Sequence, residues 1–186
     1  LPIPGKTKHI NRLKKIKINN LKILFPGKSR DEKGLQKVVD MFKKKYLNLN
    51  IILQFQKNDF ITKKLESVPN IKLRPTSDNL SYHNYLKSIN DSDLMILPYT
   101  HKTYKLRSSG IFIDGIRMNK ILFVPEGTWM SDILKKFKLN DLVLREWEVS
   151  IMYKKIYKIN SNFNDFSKNY KKLRNSIIKQ NSESAL

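Results

Sequence analysis

Short, mainly apolar segments that stop at a proline are the feature that most constrains the fold of this chain. The clearest segments are 21–25, 94–97 and 121–124, followed by Pro26, Pro98 and Pro125. Segments that are apolar on both faces are typical of strands in a buried parallel sheet, and a proline cannot continue the ladder of backbone hydrogen bonds. Each segment therefore predicts a buried strand with a defined carboxyl end.

Amphipathic helical patterns alternate with these segments. Apolar residues recur at helical spacing at Leu35, Val38, Val39, Phe42 and Tyr46, at Tyr82, Tyr85, Leu86 and Ile89, and at Met130, Ile133, Leu134 and Phe137. Further helices are predicted at 109–119 and 60–66, and further strands at 50–55, at 71–74 before Pro75, and at 142–144. This alternation predicts an α/β fold, a doubly wound, Rossmann-like parallel sheet of about six strands in the order 3-2-1-4-5-6 with helices on both faces.

The pattern also suggests a domain organisation. Residues 1–20 are interpreted as an interdomain linker or first edge, 21–160 as the Rossmann-like domain, and 161–186 as a C-terminal helix with a frayed tail. The apolar stripe of that last helix is Phe166, Tyr170, Leu173 and Ile177. It packs either on this sheet or on another domain, and the proline-rich start at Leu1 suggests that the chain is part of a longer protein.

Composition narrows the chemistry. The 186 residues include no cysteine and only three histidines, which excludes thiolate catalysis and disfavours a metal site. No apolar run reaches the roughly 20 residues that a bilayer-spanning helix needs, so we expect a cytoplasmic protein. The formal net charge of +21 suggests a polyanionic partner. Lysine far outnumbers arginine, however, and arginine is the residue that most often reads base edges. The charge therefore fits a solvated lysine surface or an anionic membrane better than it fits nucleic acid, although all three interpretations are retained.

The predicted strand order places the loops after the first and fourth strands side by side. These loops are 26–34 and 98–110. In open α/β sheets, ligands bind at the carboxyl ends of the strands where the strand order reverses. Three of the six glycines, Gly27, Gly34 and Gly110, lie in the two loops, and Gly127 follows the fifth strand. The backbone freedom of the chain is thus concentrated at the predicted ligand edge.

The residues of these loops suit a phosphate group. The helix start at Ser108, Ser109 and Gly110 predicts a binding site for a diphosphate. The loop opposite offers three cations, Lys28, Arg30 and Lys33. The alternative is that Ser109 only caps a helix and that the cations are ordinary surface residues. A Walker P-loop is excluded because its first glycine falls on Lys22, and the G-x-G-x-x-G of dinucleotide sites is absent after the first strand.

Three segments, within residues 21 to 145, resemble the C-terminal, donor-binding domain of GT-B glycosyltransferases of the group-1 type. Residues 27–35 are similar to the glycine, basic residue and "EKGL" segment of that family. Residues 90–99 are similar to its "SDL-x-x-x-P" strand, and 108–120 to its helix "SG-x-x-x-E-A-x-x-x-G-K".

The resemblance implies half of a GT-B fold that binds a nucleotide-diphosphate sugar without a metal. It implies that Lys33, with Lys28 or Arg30, binds the diphosphate and stabilises the leaving group, and that Asp114 binds the ribose. It places the base near Arg74, Pro75 and Thr76 after the third strand, and the sugar near Gly127 and Thr128. Thr128 equally suits a helix N-cap, and His101 in the crevice loop suits a contact to phosphate or water better than general-base catalysis.

Three positions depart from the family pattern. Leu106 stands eight residues before Asp114, where the family often has a sugar-contacting glutamate. Gly115 and Asn119 stand where the family has alanine and glycine.

The resemblance predicts transfer of a sugar from a UDP- or GDP-type donor to a glycan or lipid-linked acceptor, as in bacterial polysaccharide biosynthesis. It implies a missing N-terminal acceptor domain, so that this chain alone is inactive, and its basic surface could hold it at the inner face of a membrane. Two alternatives are a basic nucleic-acid-binding α/β domain and a nucleotide-sugar epimerase of the same fold.

Overall fold

The computed structural model describes residues 12–28, 30–43, 50–77 and 79–183, with side chains described up to residue 180. The strands are β1 (Leu21–Phe25), β2 (Ile51–Gln56), β3 (Ile71–Thr76), β4 (Leu94–Ile96), β5 (Ile121–Pro125) and β6 (Val143–Leu144). The helices are α1 (Leu35–Lys43), α2 (Asp59–Leu65), α3 (Tyr82–Asp91), α4 (His101–Tyr104), α5 (Gly110–Arg117), α6 (Trp129–Lys136), α7 (Val149–Ser161) and α8 (Phe163–Glu183). Two 3-10 turns span Asp31–Lys33 and Asn140–Leu142.

The six strands form one parallel sheet in the order β3-β2-β1-β4-β5-β6, which confirms the predicted fold class and strand order. The central strands β4 and β5 are buried along their whole length, as their apolar sequences predict. The prediction that the fifth strand stops before Pro125 is wrong by one residue, because Pro125 is the last residue of β5 and pairs with Leu144. Because β1 pairs with both β2 and β4, the order reverses between β1 and β4. The loops after these two strands therefore open onto the same edge of the sheet.

The prediction that β3 ends before Pro75 is wrong. The strand continues to Thr76, with Pro75 paired to Phe55 and Thr76 to Gln56. A proline is compatible with this place because β3 is an edge strand, and its outer side needs no ladder hydrogen bonds. Arg74, Pro75 and Thr76 consequently form the end of β3 and do not follow it.

Two helices were not predicted. α7 carries an apolar stripe of helical spacing that the sequence analysis did not use: Val149, Met152, Ile156 and Ile159, all buried. α4 has only four residues, too few to show a periodic pattern. α7 also crosses the expected domain boundary at residue 160. The predicted position Tyr46, residues 1–11 of the expected linker and residues 184–186 of the expected frayed tail lie outside the described residues.

The part of the N-terminal segment that the structure describes is tied to α7. Asn160 donates to the carbonyl oxygen of Ile16 at 2.9 Å, and its side-chain oxygen accepts from the Ile16 amide at 3.0 Å. Ile16 is itself buried. Residues 12–20 therefore run along the domain without forming a strand.

The C-terminal helix α8 packs on this domain, mainly against α5. Its stripe of Phe166, Tyr170, Leu173 and Ile177 is buried within the chain. The Tyr170 hydroxyl donates to the carbonyl oxygen of Lys120 just beyond α5. Of the two places considered for this stripe, the structure thus shows the chain's own domain. No helix within the described residues has the length and apolarity that a bilayer crossing requires.

Leu173→Ala tests this packing. Leu173 is fully buried, so removing its side-chain methyl groups should lower the free energy of unfolding by about 2–5 kcal/mol. The matched control is Lys172→Ala on the exposed side of α8, which should change it by no more than about 0.5 kcal/mol. Urea unfolding of both variants measures the difference. Equal stability of the two variants would show that α8 does not pack on this domain.

Candidate functional site

The loops after β1 and β4 touch backbone to backbone. Gly34 has a φ of 79°, and a Cβ at this position would lie 2.0 Å from the carbonyl oxygen of Pro98. Thr100 continues the contact: its amide donates to the carbonyl oxygen of Glu32 at 2.9 Å. Gly34 is therefore required both for its left-handed backbone and for the close approach of the two loops.

This contact places Lys33 inside the crevice between the loops. Its Nζ would lie 2.7 Å from a Cβ built on Gly27, and it lies 5.8 Å from the centre of the Tyr99 ring. Partial burial lowers the pKa of Lys33 below the ordinary value, and the nearby Arg30 guanidinium lowers it further, while the Glu32 carboxylate opposes the shift. Lys33 is thus a partly dehydrated cation that points at the backbone of Gly27.

The other two predicted cations differ from Lys33. The Arg30 Nη1 atom lies 3.4 Å from Glu32 Oε1, and the Arg30 side chain is 58% exposed, so this is a weak surface ion pair. Lys28 is exposed and lines the cavity described below. Lys33 is therefore the cation that lies against Gly27, Lys28 lines the adjoining cavity, and Arg30 is partly neutralised by Glu32.

The N-terminus of α5 faces the same edge. Ser109 is buried and is the N-cap, since its hydroxyl accepts from the Phe112 amide at 3.2 Å. Ser108 is exposed, and a Cβ at Gly110 would meet nothing within 4 Å. The first amides of a helix have no acceptor within the helix, so open space at Gly110 leaves room for an anion. The capping alternative for Ser109 is therefore observed, and it is compatible with an anion at the next residue.

The loop after β5 closes the other side of the crevice. A Cβ on Gly127 would lie 2.6 Å from the His101 ring, so the imidazole lies directly against the Gly127 backbone. Thr128 is fully buried and caps α6: its hydroxyl donates to the carbonyl oxygen of Pro125 and accepts from the Ser131 amide. The structure thus brings Gly127 to the crevice and shows Thr128 in its capping role.

A cavity of about 240 Å³ lies at the carboxyl ends of β1, β2 and β3. Its wall includes Phe25, Gly27, Lys28, Gln56, Thr76 and Tyr85. Of the three residues expected near a base, Thr76 lines the cavity, whereas Arg74 and Pro75 do not. The cavity therefore begins at Gly27, where Lys33 points, and extends towards the end of β3.

Asp114 lies on α5, one helical turn beyond Gly110, and accepts a hydrogen bond from the Tyr85 hydroxyl at 3.1 Å. Burial raises the pKa of Asp114, while the Tyr85 hydrogen bond opposes that shift. Asp114 is not part of the cavity wall, whereas Tyr85 is. Asp114 stands in a local sequence motif, whereas helical spacing presents Tyr85 only as an apolar position of α3.

The three departures from the family pattern have different structural settings. A Cβ on Gly115 would lie 2.8 Å from the end of the Leu122 side chain, so alanine at this position would require that side chain to shift. Asn119 has a φ of 57°, which is the left-handed conformation. Glycine adopts this conformation most readily, and asparagine tolerates it better than most other residues. Leu106 is 88% exposed on the loop between α4 and α5.

Within the described residues, no cluster of three or more acidic or histidine side chains could hold a metal ion.

No family model matches the sequence, and no curated protein matches it significantly by sequence. Solved structures do match by fold. The catalytic domain of cholesterol-α-glucosyltransferase from Helicobacter pylori aligns at 12% identity and a TM-score of 0.59, covering 87% of this chain and 99% of that one. WaaG, a glycosyltransferase involved in lipopolysaccharide biosynthesis, aligns at 12% identity and a TM-score of 0.57, covering 86% of this chain and 44% of that one.

HepE from Anabaena, solved in complex with UDP-glucose, aligns at 11% identity and a TM-score of 0.57. That alignment covers 90% of this chain and 49% of HepE. The aligned part of this chain thus covers less than half the length of WaaG and of HepE. The resemblance to GT-B glycosyltransferases is confirmed at the level of the fold.

Two alanine substitutions separate the roles of the glycines. Gly34→Ala should lower the free energy of unfolding by at least about 1–3 kcal/mol, since its left-handed backbone is strained for alanine and the Cβ meets Pro98. Gly110→Ala should leave it unchanged or raise it by up to about 1 kcal/mol, because its Cβ enters open space. Thermal and urea unfolding measure both. A Gly34→Ala variant as stable as the unmodified protein would contradict the loop contact.

The pKa of Lys33 can be measured by NMR of the carbon next to the amine, with the signal identified by its loss in Lys33→Arg. We expect a titration midpoint below the ordinary value of 10.5 in the free protein, because burial and Arg30 disfavour the charged form. Added pyrophosphate should raise the midpoint, since an anion stabilises the cation. A midpoint at or above the ordinary value would show that Lys33 is hydrated.

Proposed function

We propose that this chain is the donor-binding domain of a GT-B glycosyltransferase and binds a nucleotide-diphosphate sugar. The observation that carries the proposal is the meeting of Lys33, Gly27 and the N-terminus of α5 at the point where the strand order reverses. The strand order and the location of the crevice follow the general rule for ligand sites in open α/β sheets.

The diphosphate would lie between Lys33 and Gly110. Lys33 supplies a partly buried positive charge, and the open helix start supplies backbone amides and the positive end of the helix dipole. In a transfer reaction, charge develops on the departing diphosphate, and cations held in place before the reaction stabilise it. Lys33 is therefore proposed as the main leaving-group stabiliser, with Lys28 and Arg30 as secondary cations.

The nucleoside would occupy the cavity at the ends of β1 to β3, with the base towards Thr76 and Gln56. The sugar would lie on the opposite side of the diphosphate, towards Gly127 and His101. Leu106 offers no polar group for the sugar, so the polar contacts to it would come from elsewhere. These positions follow the linear order of base, ribose, diphosphate and sugar along the crevice.

Because side-chain cations can neutralise the diphosphate, we propose a reaction without a metal cofactor. The acceptor, a glycan or lipid-linked molecule, would be bound by a further N-terminal domain, so this chain alone should bind donor and transfer little. The net charge of +21 supports attraction to an anionic membrane surface on the cytoplasmic side.

Calorimetric titration of this chain with UDP, GDP and ADP tests the proposal, with pyrophosphate and a short oligonucleotide as controls, at low and moderate salt. One nucleoside diphosphate should bind more tightly than pyrophosphate and persist at moderate salt, because the cavity contributes contacts that are not ionic. Binding of the oligonucleotide alone, abolished by salt, would favour a nucleic-acid-binding domain instead.

Lys33→Ala should weaken binding of the preferred nucleotide at least about tenfold, as expected for the loss of a charged contact. The matched control is Lys37→Ala, which removes another partly buried lysine whose pKa is lowered by burial. Its effect should be small because Lys37 lies one helical turn further from the crevice, on α1. Equal losses in the two variants would show that the general positive field binds the nucleotide and that Lys33 has no special role.

A further inference from the structure

The contact between Tyr85 and Asp114 has an unexpected geometry. The Tyr85 hydroxyl lies 3.1 Å from Asp114 Oδ2 and joins α3 to α5 across 29 residues of sequence. Tyr85 forms part of the cavity wall, while Asp114 does not. The acidic residue that the sequence motif singles out therefore lies behind a tyrosine, as seen from the cavity.

The direction of this hydrogen bond is determined by the ionisation of the two groups. Burial and the Asp114 carboxylate both raise the pKa of Tyr85, so its hydroxyl keeps its proton at neutral pH. The Tyr85 hydroxyl is the donor, and Asp114 Oδ2 accepts. The hydroxyl has only one hydrogen to donate, and its oxygen still carries lone pairs that can accept a hydrogen bond. Any further hydrogen bond to the Tyr85 hydroxyl oxygen must therefore come from a group that donates.

The distance along α5 indicates which part of a nucleotide meets this acceptor. Asp114 is four residues beyond Gly110, which corresponds to a rise of about 6 Å along the helix. If the diphosphate binds at Gly110, the group next to it is the ribose, and a ribose carries two hydroxyl donors. The base lies one group further, towards Thr76.

We propose that Tyr85 is a ribose-binding residue and that Asp114 is a positioning residue that acts through it. Tyr85 accepts a hydrogen bond from a ribose hydroxyl, and Asp114 fixes the rotation of the Tyr85 hydroxyl so that its lone pairs face the cavity. This inference rests on the proposed function, and it assigns to Tyr85 the contact that the family resemblance gives to Asp114.

The test is binding of the preferred nucleoside diphosphate and of its 2′-deoxy and 3′-deoxy forms to Tyr85→Phe. Loss of one hydrogen bond should weaken the ribonucleotide about three- to tenfold. Affinity for one of the deoxy forms should be unchanged, because that form lacks the hydroxyl that Tyr85 binds. The matched control is Tyr82→Phe on the same helix, whose ring lies 6.2 Å from that of Tyr85 and is half exposed; it should bind all ligands like the unmodified protein.

A purely structural role for Tyr85 would give a different result. If the hydroxyl only ties α3 to α5, Tyr85→Phe would lower the unfolding temperature and weaken the ribonucleotide and both deoxy forms equally, which would overturn the inference. Unchanged affinity of Tyr85→Phe for the ribonucleotide would overturn it as well. In either case, tight ribonucleotide binding by the unmodified protein would leave the proposed function in place.

A double-mutant cycle separates Asp114 from Tyr85. If Asp114 acts through Tyr85, Asp114→Ala should weaken ribonucleotide binding in the unmodified protein but have no further effect in Tyr85→Phe. If Asp114 contacts the ribose itself, its loss should cost the same in both backgrounds, and the inference would be wrong. Thermal unfolding curves show which variants are folded at the temperature of the titration. The cycle is measured below the unfolding temperature of the least stable variant.

Discussion

The close approach of Gly34 to Pro98 is the constraint on which the candidate site depends. The sheet brings β1 and β4 side by side, but their loops could separate above it. The left-handed turn at Gly34 brings the backbone of one loop against the other, with no space for a side chain between them. This contact fixes the 3-10 turn before Gly34 and directs Lys33 back to Gly27. A single backbone contact thus converts two adjacent loops into one crevice.

Most of the fold could be predicted from sequence because its strands are short, apolar and separated by prolines or helical patterns. The strand order followed from the fold class, since a parallel sheet with these alternating elements has few alternatives. The errors have local causes. β3 runs through Pro75 because it is an edge strand; the predicted strand order already placed it at the edge, but its end was still predicted at the proline. α4 is too short to show a period. The stripe of α7 beginning at Val149 was visible and could have been found.

The candidate site was only partly predictable for a different reason. Lys33 and Ser109 stand in local motifs, so their places on the edge followed from the strands that precede them. Tyr85 is 29 residues from Asp114, and no local pattern indicates that its hydroxyl contacts that carboxylate. The sequence presents Tyr85 as one apolar position of α3. In the structure its side chain packs against the core, and its hydroxyl donates a hydrogen bond to Asp114. Amphipathic residues of this kind are the ones that periodicity assigns to the core and that a cavity uses for polar contacts.

The distribution of charge explains why the large positive excess does not by itself define a site. Exposed lysines are hydrated, and an anion gains little by approaching one of them. Among the described lysines, burial lowers the pKa of three: Lys33, Lys37 and Lys120. The Lys120 amine already donates to the carbonyl oxygens of Asn90 and Ser92, and Lys37 lies along α1. Lys33 has lost part of its hydration beside the Arg30 cation, so keeping it charged carries an electrostatic cost that an anion beside Gly27 would relieve. In the proposed function, a diphosphate would therefore bind through the removal of this electrostatic cost as well as through the contacts it forms.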